Sequence, residues 1–140
     1  MEKKFAFTSD RSGTGAPQIY IMDAEKGDSS TVTRISFGSS YNDNPSWSPN
    51  GDKIAYTSLV GGKFQISVYD FETHKSQIVT TDTGSSEKPS WSPDGRFIVY
   101  RKQLNGSSNI FIKRFGGDRV RQLTFSGKIH SPSWSPYFKH

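Results

Sequence analysis

Few residues in this chain of 140 have the type and spacing to do covalent chemistry. The three imidazoles, His74, His130 and His140, stand far apart, and none has a Glu, Cys or second His at metal-ligand spacing. With no cysteine, disulfides and thiolate metal sites are excluded. No Gly-x-Ser-x-Gly nucleophile elbow occurs. Gly13-Thr14-Gly15 joins two strand-like runs, so it opens no helix that could receive a phosphate. Asn50-Gly51 and Asp94-Gly95 lack the further acidic ligands of a calcium loop and read as tight turns. The expectation is a non-enzyme, with no cofactor and no metal, that acts by binding.

Composition narrows the class of partner. The net charge is +5 and the pI about 9.5, but the basic residues are scattered and do not alternate with aromatic ones. That argues against nucleic acid. No apolar run approaches the roughly 18 residues that a membrane span needs. The start, Met1-Glu2-Lys3-Lys4-Phe5, goes straight into strand-like sequence with no signal peptide, so a complete chain would be cytoplasmic.

The elements that must position a binding surface are marked by one repeated stretch. Pro45-Ser46-Trp47-Ser48-Pro49 returns as Pro89-Ser90-Trp91-Ser92-Pro93 and as Pro132-Ser133-Trp134-Ser135-Pro136, at intervals of 44 and 43 residues. A period of about 40–45 residues filled with short β-rich runs predicts an all-β fold, a β-propeller with one four-stranded blade per repeat. With strands a to d counted outward from the central channel, residues 45–80 and 89–124 each supply a full blade. Residues 1–37 supply b, c and d of a shared blade, and 132–137 supply its strand a. Three blades are half of a six-bladed ring, so two copies are expected to close one as a homodimer.

Trp47, Trp91 and Trp134 recur at one place in the repeat and are assigned to packing between blades. Binding is expected on the face of the b–c and d–a loops, which carry residues 10–16, 59–63 and 102–108, and 39–44, 83–88 and 126–131. The candidate partner-binding residues there are Arg11, Tyr41, Asn42, Asp43, Glu87, Lys88, Lys102 and His130.

Three further stretches carry a family resemblance. Residues 90–100 (Ser-Trp-Ser-Pro-Asp-Gly-Arg-Phe-Ile-Val-Tyr), Thr8-Ser9-Asp10-Arg11-Ser12-Gly13 followed by Gln18-Ile19-Tyr20-Ile21-Met22-Asp23, and Arg121-Gln122-Leu123-Thr124-Phe125-Ser126-Gly127 resemble the propeller repeats of the TolB family. The resemblance implies a six-bladed propeller of the periplasmic Tol-Pal envelope system that binds the peptidoglycan-associated lipoprotein, Pal. Similar repeats occur in propellers that gate prolyl-oligopeptidase-type serine peptidases, and a self-assembling structural propeller would also fit.

Overall fold

The structure is a computed structural model and describes residues 3–13, 15–27, 31–81 and 83–135. Eleven strands form three antiparallel sheets. The first sheet holds β1 (Lys4–Ser9), β2 (Gln18–Asp23) and β3 (Thr33–Arg34) in that order. The second runs β4 (Asn42–Trp47), β5 (Lys53–Val60), β6 (Lys63–Asp70) and β7 (Lys75–Ile78). The third runs β8 (Ser85–Trp91), β9 (Phe97–Leu104), β10 (Ser107–Arg114) and β11 (Val120–Gln122). Sequential hairpins of this kind are propeller blades.

The middle strands are buried on both faces, as continuous apolar runs require. Ile54, Ala55, Tyr56, Ile66 and Val68 are all at most 2% exposed. One core lies between the first two sheets and joins Ile19 and Ile21 to Ile54 and Tyr56. The other lies between the last two and joins Ala55, Ile66 and Val68 to Trp91, Ile98 and Tyr100. Trp91 bridges that seam, donating Nε1–H to the Ser46 carbonyl of β4 at 3.1 Å. Trp47 occupies the equivalent place one blade earlier and stacks on Phe71 at 5.3 Å.

The outer strands stop at Arg34, Ile78 and Gln122 for a physical reason. Beyond Arg34, a side chain takes over from the backbone ladder: the Ser36 hydroxyl accepts the Ile19 N–H at 2.8 Å and donates to Gln18 Oε1 at 2.7 Å. Thr80 does the same for Ile66 and Gln65, and Thr124 for Ile110 and Asn109. Each d strand therefore ends on a hydroxyl clip that satisfies a c-strand amide and a buried amide side chain together.

The serine after Trp47 and the one after Trp91 organise the a–b turns of their blades. Ser48 Oγ accepts the Lys53 N–H and donates to Asp52, while Ser92 Oγ accepts the Phe97 N–H and donates to Asp94. These bonds depress both acids. Lys53 and then Ser48 lower Asp52, and Ser92 and then the Arg96 amide lower Asp94.

One expectation needs correcting. Residues 42–44 and 85–88, read as loop, belong to β4 and β8, because Asn42 and Asp43 pair with Ser58 and Thr57, and residues 85–87 pair with 101–103. Within the single chain, residues 132–135 join no ladder, and Trp134 N–H reaches Ser90 Oγ at 3.4 Å. A side-chain contact does not build a ladder. Pro136, Tyr137 and His140 lie outside the described residues, as do Thr14 and Asp28.

Two predictions follow from this packing. Trp91→Ala should lower stability by about 3–5 kcal/mol, the cost of truncating a buried Trp, measured by urea unfolding. The second concerns acid. Because the folded values of Asp52 and Asp94 lie below the ordinary carboxylate value of 3.8, their contribution is complete above it and is lost as pH falls through the folded values. Asp94→Asn should therefore flatten the loss of stability between about pH 4 and pH 2, read from urea midpoints across that range.

Candidate partner-binding face

The b–c hairpins and d–a connections emerge at one end of the sheets, and the residues of interest there are aimed by two bulges. The β4–β5 register shifts between Asp43 and Ser46, and the β8–β9 register between Glu87 and Ser90. Within them Asn44 (φ 53°) and Lys88 (φ 57°) take left-handed backbone, uncommon for residues with a side chain. The conformation is held by one bond within the blade and one across blades. Thr57 Oγ1 donates to Asn44 Oδ1 at 3.0 Å and accepts the Lys88 N–H at 3.0 Å. The Asn44 side chain and the Lys88 backbone, on neighbouring blades, are thus joined through a single threonine.

Tyr41 stands at the mouth of the second blade. Its ring packs on Phe64 at 5.5 Å, and its hydroxyl donates to Asp43 Oδ2 at 3.3 Å. Partial burial pushes the phenol above its ordinary value, and the charges of Asp43 and Glu87 add to the shift. The phenol therefore stays protonated and keeps its O–H as a donor. Its position brings Tyr41, Asp43 and Glu87 into one electrostatic neighbourhood.

Glu87 is paired with Arg101 across β8 and β9, both about 18% exposed. The same guanidinium donates to Ser108 Oγ at 2.9 Å and to the Ile129 carbonyl at 3.2 Å. Backbone bonds from Ser108 N–H to Gly127 O and from Ile129 N–H to Ser108 O fix residues 127–129 along the start of β10. His130, exposed, follows directly on that anchored segment.

The eight predicted contact residues separate as follows. Tyr41, Asp43, Glu87 and Lys88 are half-buried and gathered by the two bulges, and His130 lies on the neighbouring connection. Asn42 is no surface residue: it is fully buried, donates to Gln18 Oε1 at 2.8 Å and accepts from Ser58 Oγ at 2.7 Å. Lys102 is 7% exposed because β9 runs on to Leu104, and its ammonium lies over the Phe111 ring at 5.0 Å. Arg11 is exposed but folds across the outer face of the first sheet, over the rings of Phe7 and Tyr20.

Arg101 and Thr57 are the residues that sequence reasoning missed. They occupy one position, 44 residues apart, in successive b strands, and that repeat position was the available signal. Gly84 is a further fixed point. At φ +90° a Cβ there would sit 2.6 Å from the Gln103 carbonyl oxygen, so only glycine closes this d–a connection.

The comparisons agree with this architecture over nearly the whole chain. The family model for the TolB beta propeller domain matches residues 2–138. The chain belongs to the TolB β-propeller domain family. The Tol-Pal system protein TolB of Wolbachia pipientis wMel is 47% identical over 51 residues, 36% of this chain and 12% of that protein. The solved TolB of Acinetobacter baumannii superposes with a TM-score of 0.77 at 30% identity, over 92% of this chain and 31% of that one. A prolyl endopeptidase structure, at 20% identity and a TM-score of 0.64 over 89% of this chain and 21% of that one, shares the fold alone. The chain spans less than a third of either TolB relative. Among the described residues, no helix is long and apolar enough to cross a membrane.

Arg101→Ala should release the segment that it anchors. Hydrogen exchange at the Ile129 amide is expected to quicken by about tenfold, as for a lost charge-assisted bond. The Ile66 amide in the core should be unaffected.

Proposed function

We propose that the chain is a non-catalytic protein-binding propeller module of the Tol-Pal type, acting in the periplasm on a peptidoglycan-associated lipoprotein or a protein like it. The carrying observation is the bulge-built cluster of Tyr41, Asp43, Glu87 and Lys88, held across two blades by Thr57 and Arg101. A half-buried tyrosine with its hydroxyl oriented, ringed by charges of both signs, suits the anchor and rim of a protein interface. The likeness to TolB proteins of Wolbachia and Acinetobacter supports the identity of the partner.

In this reading residues 1–37 and 132–137 belong to one shared blade, 45–80 and 89–124 to two complete ones, and a second copy closes the six-bladed ring as a homodimer. The binding face is then the end of that ring where the bulges lie.

Calorimetry with a soluble peptidoglycan-associated lipoprotein tests the proposal. Tyr41→Ala and Lys88→Glu should each weaken binding by about tenfold or more, the scale of an interface anchor. Glu72→Lys, on a c–d turn at the opposite end, should leave affinity unchanged. Absence of binding by the folded wild-type chain would refute the assignment to this partner.

A further inference from the structure

Successive blades meet through a repeated pair of faces. Between the first two, Ala6, Ile19 and Ile21 cluster with Ile54, Tyr56 and Trp47. Between the second and third, Ala55, Ile66 and Val68 cluster with Trp91, Ile98 and Tyr100, the equivalent residues in register. Each blade therefore offers an aliphatic face to the blade after it and an aromatic-bearing face to the blade before it. On the third blade the equivalent residues are Val99 and Ile110, 6% and 8% exposed, with Ile112 half-buried and Leu123 at the rim 38% exposed. On the first blade the opposite face is Phe5, 40% exposed, and Phe7, which stacks on Tyr20 at 5.8 Å.

A buried donor marks what belongs beside β1. Trp91 Nε1 has its acceptor in the Ser46 carbonyl, on the inner strand of the preceding blade. Trp47 Nε1 is equally buried and has no hydrogen-bond partner. Among the described residues no inner strand pairs with β1, which is the edge of its sheet. The repeats of Ser46 in the chain are Ser90 and Ser133. The segment holding Ser133 touches β8 through Trp134 N–H to Ser90 Oγ, while the Trp134 indole N–H, like that of Trp47, is buried without a partner among the described residues.

Charge supplies a separate indication. Arg114, Arg119 and Arg121, with Phe97 and Ile112, line a cavity of about 480 Å³ on the third blade. The matching place on the second blade, at Lys53, is covered by the c–d turn of the blade that follows, with Lys53 Nζ 5.7 Å from the centre of the Phe115 ring. In the first blade the turn at that position is Asp23-Ala24-Glu25, with Glu25 exposed.

We infer that the aliphatic face of the third blade receives the first blade of a second copy of this chain. The two copies close head to tail about a twofold axis along the channel. Residues 132–135 of each copy enter as the inner strand beside β1 of the other, Trp134 opposite Phe5, and the Ser133 carbonyl accepts the Trp47 indole N–H. Glu25 then faces the arginine cavity. This rests on the ring reading given above and is independent of the lipoprotein.

Sedimentation equilibrium of the full chain tests it. The expected mass is twice the 15.7 kDa of one chain, with stability that rises with concentration. Arg121→Glu and Glu25→Arg should each weaken the dimer by about tenfold or more, and the two together should restore much of the loss. The Trp47 indole N–H, followed by NMR, should be protected from exchange in the dimer and lose that protection when residues 131–140 are deleted. A monomer, folded or unfolded, overturns the inference, and so does a dimer indifferent to both charge reversals and to the deletion. A dimer that ignores the soluble lipoprotein overturns the partner assignment alone.

Discussion

The middle blade of this protein is a sheet whose two faces are covered by the blades on either side. That constraint organises the rest. A four-stranded sheet with Ile, Val and Tyr on both sides of its middle strands would be insoluble alone, so every face must find a neighbour. The indole of Trp91 makes that contact specific. It adds a hydrogen bond to the Ser46 carbonyl in a seam that is otherwise apolar, and so fixes how far one blade slides along the next. Burial supplies the energy and the single directional bond supplies the register.

The polar residues inside the sheets follow from the same constraint. Where a blade is sealed on both faces, a strand cannot simply stop and leave an amide without water. The hydroxyl clips of Ser36, Thr80 and Thr124 solve this at the end of each outer strand, and the partners Gln18, Gln65 and Asn109 are buried with them. Asn42 and Ser58 extend the first clip to the next blade, making a network that runs from β2 of the first sheet to β5 of the second. A side chain in such a network is committed on every polar atom. That is why Asn42, polar and in a charged stretch, serves the fold and has nothing left for a partner.

Much of the fold was legible in the sequence because it depends on repetition. The Trp motif fixed the blade count, and the apolar runs around Ile54, Ile66, Ile98 and Ile110 fixed the middle strands. The site was less legible. Residues 42–44 and 85–88 are polar and contain no β-branched residue, so they carry the composition of a loop. They are strands because β5 and β9 extend far enough to pair with them, and because a bulge absorbs their irregular backbone. Pairing across a sheet is a tertiary fact that local composition does not encode. Lys102 was misplaced for the same reason, since the length of β9 is set by its hairpin with β10. Only a comparison of positions between repeats would have shown that Thr57 and Arg101 do the same job with different chemistry.

That last substitution shows how the fold separates stability from recognition. At the a–b end the serine-clamped turns of the two complete blades are built nearly alike, because the backbone bonds to Ser48 and Ser92 leave little freedom. At the other end the equivalent positions differ: Thr57 holds a neighbouring backbone amide, whereas Arg101 holds a carboxylate, a hydroxyl and a carbonyl at once. Both choices lock adjacent elements, so the propeller tolerates either. The difference falls on the surface presented, neutral at one blade and charged at the next. Repetition of the core therefore permits divergence at the rim, and the uneven rim distinguishes the second blade from the third.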